Sequence, residues 1–391
     1  MQTTKNNNLI KETIEHFSNT YLDKPNFISM APGRVNIIGE HTDYNDGLAM
    51  PAAIDRYVCV AIRRNNHETI NATSTDFPNS FSIKLNEKSE DILWNKYVVG
   101  TVKEICDKYN IYSGFDILIH SNLDIGSGLS SSAALELSIA NAILYLFNIK
   151  AHDYDIINTC QKVEHEHINI KSGILDQSAS QLSKDGCFLI LNFSNNTYRH
   201  IQNNSSNCAW VLVDSMVKRK LASSKYHERV EECSNAIKII GERKGKKINF
   251  NAISDKDLSV LEKIDSVVYN RAKHVVEENE RVKRMEGAIL KNDLNEIGKI
   301  LIHSHESLRD LYEVSCLEID YLIDISSKFK NWLGGRIMGG GFGGNTINLI
   351  REGDEMKYSK YIEKKYLDKF QIIPKIRIVN FTDGAKVINN I

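Results

Sequence analysis

Between Gly33 and Gly47 the chain reads G-R-V-N-I-I-G-E-H-T-D-Y-N-D-G, setting one arginine, three acids and a histidine among three glycines. Only Val35, Ile37 and Ile38 in that run suit a core. Directional hydrogen-bonding groups on a turn punctuated by glycine fit a polyhydroxylated ligand such as a sugar better than they fit an interior. A second run, Leu123 to Glu136, reads L-D-I-G-S-G-L-S-S-S-A-A-L-E and leads into an apolar stretch. Gly126 and Gly128 let the backbone turn closely against a ligand, while Ser130, Ser131 and Ser132 supply hydroxyls. A helix starting there would turn unpaired N–H groups and the positive end of its dipole toward an anion, which is how phosphate is bound. The lysine-bearing G-x-x-x-x-G-K-[ST] loop occurs nowhere in the chain. On residues alone, the serines serve equally well as caps of a buried helix.

Carboxylates follow in V-E-H-E-H, Val163 to His167, and in Gly173-Ile174-Leu175-Asp176-Gln177. A zinc pair of the H-E-x-x-H kind would need histidine where Asn169 stands, so zinc is disfavoured. Trp94 and Tyr97 lie in W-x-x-Y-x-x-G, an aromatic wall suited to a purine face, although such spacing also suits a helix core. Gly334 to Gly344 contains seven glycines, more than a plain hairpin requires, so the backbone must approach something closely there.

The elements that would carry these residues follow from periodicity. Asn7 to Tyr21 is an amphipathic helix with Leu9, Ile10, Ile14 and Phe17 on one side. Phe27 to Met30, Tyr57 to Arg63, Ser80 to Leu85 and Phe115 to Ile119 are strand candidates. Helices are expected over Trp94 to Tyr109, Ser131 to Phe147 and Ile156 to His167, the second too apolar all round to lie on a surface. Cys187 to Asn192 is a strand candidate, and the polar stretch Ser194 to Asn207 is the best boundary signal. Beyond it come a strand at Trp210 to Val213, helices over Ser224 to Gly241 and Asp265 to Leu290, and a hairpin of Arg336 to Met338 with Thr346 to Ile350. A further helix and a last strand at Ile376 to Val379 close the chain. Strands and helices without regular βαβ alternation predict an α+β fold. A length of 391 residues predicts two domains, placed at 1–205 and 206–391.

Composition narrows the function. The chain is 42% hydrophobic and 25% charged with a net charge of −1, which argues against a polyanion-binding surface spread over the whole protein, leaves room for a local phosphate site and makes nucleic acid an unexpected partner. Seven cysteines without C-x-x-C spacing point to reduced thiols. Neither a signal pattern at Met1 to Asn8 nor an apolar run of membrane-spanning length is present, so a cytoplasmic protein is expected.

The first run resembles the sugar-binding motif of galactokinases, members of the GHMP family of small-molecule kinases. Gly128 to Ala134, G-L-S-S-S-A-A, resembles that family's ATP-binding motif P-x-x-x-G-L-[SG]-S-S-A, with Asp124 standing where proline is usual. The likeness runs from about Phe27 to Ala385 and includes Ser307 to Cys316 and Arg271 to Arg281. It implies a two-domain GHMP kinase fold, an N-terminal domain like the second domain of ribosomal protein S5 and a ferredoxin-like C-terminal domain, with the active site in the cleft between them. It also implies ATP and Mg²⁺ as cofactors. Gly126, Ser127, Gly128, Leu129, Ser130, Ser131, Ser132 and Ala133 would hold the phosphates and Trp94 would lie beside the adenine. Ser132 and Glu164 would ligate magnesium. Asp176 would face the hydroxyl to be phosphorylated, with Arg34 keeping it ionised. Glu40, His41, Asp43, Gly173 and the Tyr226 of Leu221-Ala222-Ser223-Ser224-Lys225-Tyr226 would contact galactose.

The expected reaction is transfer of the γ-phosphate of ATP to the anomeric hydroxyl of α-D-galactose, by a monomer. Ser178-Ala179, Asn192-Phe193, Leu311, Leu317 and Asn345 depart from the family pattern. Of these, Ser178 and Asn345 bear on which sugar is used. A kinase for N-acetylgalactosamine or arabinose is the near alternative, and a non-catalytic sugar sensor the distant one. The intact Ser130 to Ala134 run and Asp176 disfavour the sensor.

Overall fold

The computed structural model describes residues 2–87, 92–170, 172–217 and 222–389. The chain forms two compact units, the first made of Met1–Arg34, Ala52–Asp185 and Phe381–Ile391, the second of Val35–Pro51 and Gly186–Asn380.

The first unit opens with α1 (Gln2–Tyr21) and the start of β1 (Phe27–Ile38). It resumes in β2 (Leu48–Asn65), then β3 (Thr69–Ser74), β4 (Phe81–Lys84), α2 (Leu93–Tyr109) and β5 (Gly114–Ser121). α3 (Ser131–Leu146), α4 (Asp153–Val163) and α5 (Leu175–Leu182) follow. Leu9 and Phe17 of α1 pack on Met30, Tyr57, Cys59 and Leu118, the predicted amphipathic face. β2 runs antiparallel to β5, and β3 joins β5 in parallel. α3 is buried nearly all round, as its unbroken apolar composition requires.

The second unit carries β6 (Cys187–Asn192), β7 (Thr197–Gln202) and β8 (Cys208–Asp214). Helices α6 (Ala222–Lys244), α7 (Asp255–Ile264), α8 (Ser266–Leu290), α9 (Leu294–Asp310) and α10 (Leu317–Ser327) come next. β9 (Trp332–Met338), β10 (Asn345–Arg351), α11 (Glu355–Phe370) and β11 (Lys375–Val379) complete it. β12 (Lys386–Ile388) returns to the first unit and pairs with β1. The four-stranded sheet runs β11-β8-β10-β9, all antiparallel. Counted in chain order that is 4-1-3-2, a ferredoxin-like βαββαβ pattern with extra helices between its first two strands.

Two sequence expectations change. β1 does not stop at Met30 but continues to Ile38, and Gly33 to Ile38 is buried throughout. The polar-looking first run is therefore half core strand, with its turn confined to Gly39–Gly47. Arg34 is tolerated in that strand because its guanidinium is hydrogen-bonded, and Asn36 because its Nδ2 donates to the Gly39 carbonyl and to Glu40, although its Oδ1 has no partner. The polar stretch after Asn192 is likewise not all loop, since β7 pairs antiparallel with β6. Only Ile201 of β7 is buried, so the strand lacks the alternation that would have announced it.

Among the described residues no helix is long and apolar enough to cross a membrane. All seven cysteines are free thiols, and Cys59, Cys106, Cys160 and Cys233 are buried.

Candidate active site

Each unit assembles its own group of residues foretold by the sequence. In the first, α3 begins at Ser131 behind a loop in which Gly128 takes the left-handed conformation at φ +73°. Ser130, the N-cap residue, is itself left-handed at φ +60°, and no side chain caps the helix. Its hydroxyl donates instead to Asp176 Oδ2 at 2.5 Å. The first amides of α3 are therefore left for an outside acceptor, with the helix dipole behind them.

Asp176 sits in the first turn of α5, and Arg34 reaches it from β1. Arg34 Nε donates to Asp176 Oδ1 at 2.8 Å, its Nη2 lies 2.7 Å from the same oxygen, and its Nη1 donates to the Gly128 carbonyl at 2.7 Å. The Arg34 side chain is 9% exposed and that of Asp176 35%, so the carboxylate stays open on one side while the guanidinium is enclosed. An ion pair of this kind can accept a hydroxyl proton and orient an acceptor.

Ser132 is the second residue of α3, and its hydroxyl bonds the Tyr97 phenol. Trp94 stands beside them, stacked on Phe77 at 5.4 Å and edge-on to Phe81 at 5.0 Å. Trp94, Tyr97, Ser131 and Ser132 line a mostly apolar cavity of about 430 Å³, a volume suited to a cofactor-sized ligand. Trp94 and Tyr97 thus share one cavity with the start of α3.

Glu164 directly follows α4, in a single π-turn, Glu164–Ile168. It is 7% exposed rather than on a charged outer face. Burial, then the nearby charge of Asp176, raises its pKa, while hydrogen bonds from Ser172 and Gln177 oppose the shift. Glu136 is wholly buried close by, pushed well above the ordinary range by burial and by Glu164, and it accepts from Gln177 Nε2 at 3.3 Å. Sequence reasoning passed over Glu136, although it is the lone acid of α3, four residues and one turn beyond Ser132. Two buried carboxylates with raised pKa values and the Ser132 hydroxyl are oxygen donors of the kind a divalent cation such as Mg²⁺ would take, with water completing its shell. Among the described residues no group of three or more His, Cys, Asp or Glu is placed to hold a metal ion.

In the second unit the turn after β1 is anchored from below. Glu278 Oε1 accepts from the Gly39 amide at 2.9 Å, the Glu40 amide at 3.2 Å and Ser304 Oγ at 2.9 Å. Burial would raise the Glu278 pKa, but the charge of Arg281 above all pulls it down to about 2. Glu40 takes a bond from Asn36 Nδ2 at 2.8 Å and one from the Gly339 amide at 2.7 Å, and lies 3.2 Å from Arg336 Nη1. Arg336 is fully buried and also binds the Asn36 and Ile37 carbonyls at 2.5 and 3.0 Å. The third glycine-rich segment is therefore fastened to the first motif through Glu40. His41, Tyr44, Tyr226 and Tyr312 pack ring to ring, with His41 4.8 Å from Tyr312 and 5.8 Å from Tyr226, and Tyr44 5.3 Å from Tyr226. Asp43 opens the short 3-10 turn Asp43–Asn45 that carries Tyr44. Gly173 lies half-buried in the loop before α5, and Leu221 falls outside the described residues.

This architecture defines a GHMP kinase. Residues 96–184 match the family model for the GHMP kinases N terminal domain, and residues 15–64 match the galactokinase galactose-binding signature. A mevalonate kinase structure shares the fold at TM-score 0.66 and 23% identity, over 91% of this chain and 99% of that one. A curated galactokinase from Thermosipho africanus is 37% identical over 92% of this chain and 99% of its own length. One from Clostridium acetobutylicum is 35% identical over 96% and 98%. The crystal structure of Lactococcus lactis galactokinase complexed with galactose superposes at TM-score 0.91, with 29% identity, 96% of this chain and 99% of that chain covered. The chain belongs to the galactokinase family.

Proposed function

We propose that this protein transfers the γ-phosphate of ATP to the anomeric hydroxyl of α-D-galactose, giving α-D-galactose 1-phosphate and ADP. The observation that carries the reading is the knot of Arg34, Asp176 and Ser130 at the uncapped start of α3, in a chain of this family. Asp176 accepts the proton of the anomeric hydroxyl and aims its oxygen, the main demand of phosphoryl transfer. Arg34 fixes Asp176 and offsets charge as the phosphoryl group moves. Gly126, Ser127, Gly128, Leu129, Ser130, Ser131, Ser132 and Ala133 hold the phosphates on backbone amides and hydroxyls, and Trp94 packs on the base. Glu40, His41, Asp43, Gly173 and Tyr226 bind the sugar hydroxyls. A site built to pair the axial 4-hydroxyl rejects the epimer that leaves its groups unpaired. Ser132 and Glu164 are the residues that would hold Mg²⁺, which when bound would offset the negative charge of the phosphates.

The protein works as a cytoplasmic monomer, residues 1–205 carrying the sugar motif and phosphate loop and 206–391 the third motif. A panel of aldoses with ADP release as readout tests the substrate. Galactose is expected to give the highest kcat/KM. A higher value for arabinose or N-acetylgalactosamine would reassign the sugar.

A further inference from the structure

A chain of hydrogen bonds runs inward from His41 to a thiol. His41 Nδ1 lies 2.7 Å from Tyr44 Oη, Tyr44 Oη 2.9 Å from Tyr312 Oη, and Tyr312 Oη 3.1 Å from Cys233 Sγ. His41, Tyr312 and Cys233 are buried, and His41 Nε2 has no hydrogen-bond partner. A buried ring nitrogen without a partner costs about 1–3 kcal/mol, a cost that a hydrogen bond to a bound sugar would remove.

We propose that Tyr44 and Tyr312 are positioning residues that hold His41 as its Nε2–H tautomer, so that the ring offers the sugar a donor and not an acceptor. This rests on the reading of His41 as a sugar contact. Each link has one proton, so the chain has two possible directions. Running outward, the Cys233 thiol donates to Tyr312, Tyr312 to Tyr44, and Tyr44 to His41 Nδ1. Running inward, the imidazole N–H donates and the chain ends on sulfur. The outward direction ends on the best acceptor of the four, an imidazole nitrogen, and the inward one on the weakest, a thiol. Burial keeps every member in the form this requires. It lowers His41 to about 3, so the ring is neutral, and raises Cys233 to about 11, so the thiol keeps its proton. Both tyrosines are raised well above the ordinary range.

The tautomer is read on the full chain, labelled with ¹⁵N-histidine, without sugar or nucleotide, by long-range ¹H–¹⁵N correlation. The His41 signals are assigned by their loss in His41→Gln. Wild type should show the Nε2–H pattern. Tyr44→Phe should shift it toward the Nδ1–H form and raise the galactose KM about three- to tenfold, the worth of one hydrogen bond, with kcat within about twofold. Tyr312→Phe should move both in the same sense by less. Tyr358→Phe, which loses a buried bond to Ser326 elsewhere in the unit, should move neither. An Nδ1–H pattern in wild type overturns the inference. So does an unmoved pattern in Tyr44→Phe, or a moved pattern with unchanged KM. The spectra contain no substrate, so failure of galactose as the phosphate acceptor would leave the tautomer result standing, and the two readings fail separately.

Discussion

Arg34 holds Asp176 by two nitrogens on a single oxygen, Oδ1, leaving Oδ2 to Ser130. The third guanidinium nitrogen holds the Gly128 carbonyl, so one side chain sets the distance between the acid and the phosphate loop. Replacing Asp176 with alanine should reduce galactose phosphorylation by about 10³-fold, the usual worth of a positioned proton acceptor. Nucleotide affinity, measured by calorimetry with a non-hydrolysable ATP analogue, should stay within about threefold, because the α3 amides and loop do not depend on that carboxylate for contact with phosphate. Asp176→Asn, which keeps the shape, should lose turnover as well. Turnover close to wild type in either variant would remove Asp176 from the chemistry.

Under the proposed reading, Trp94 serves the nucleotide and not the sugar. Its ring is sandwiched with Phe77 and borders the same cavity as Ser131 and Ser132. Trp94→Leu should raise the KM for ATP roughly tenfold or more, as expected when a base loses an aromatic partner. The galactose KM should hold within about twofold. Equal increases in both constants would point to a general loosening of the unit, which a urea titration of the same variant would reveal.

Stability should fall on the acid side well before ordinary carboxylates titrate. Burial lowers His41 to about 3, and His274 and His305 to about 4. Unfolded, each would titrate near 6.5. Above that pH both states are neutral there and nothing changes. Below it the unfolded chain takes up protons that the folded one refuses, so stability drops as pH falls from about 6.5 toward 4. The slope is about 1.4 kcal/mol per pH unit for each histidine. Glu278 adds a second loss from about 4.5 downward, because its folded pKa of about 2 lies below its unfolded one. Melting temperatures should decline as pH falls from about 6.5 toward 4, less steeply than the three histidines alone would give, because the raised Glu136 and Glu164 work in the opposite sense. A flat profile down to pH 5 would contradict this.

Much of the site was legible because its residues are unusual in kind. The serine-glycine loop, the Asp176 segment and the glycine-rich hairpin each break the pattern of a packed chain; the first runs into the expected helix at Ser131, and the last forms the expected hairpin, Asn345 pairing with Met338 across β9 and β10. What escaped was ordinary in kind and special only in company. Tyr44, Tyr312, Glu278 and Arg336 resemble any residues of a turn, a helix or a strand until the fold buries them together. Glu136 left one signal, an acid inside an apolar helix. α7, α9 and α10 were not read, and β7 was hidden by its exposure. The first motif misled in the opposite direction. Its arginine and asparagine suggested surface, where hydrogen bonding let them line an interior strand.

The left-handed backbone at Ser130 carries a compromise between robustness and activity. A residue with a side chain is strained there by about 1–2 kcal/mol, which glycine would relieve. Glycine would also delete the hydroxyl that Asp176 now receives. The family's alternation of serine with glycine at this position then has a physical origin, since one choice favours a sturdier fold and the other a better-held acid. A search for thermostable variants that scores the folded state alone would choose glycine, and would trade away catalytic order to obtain it.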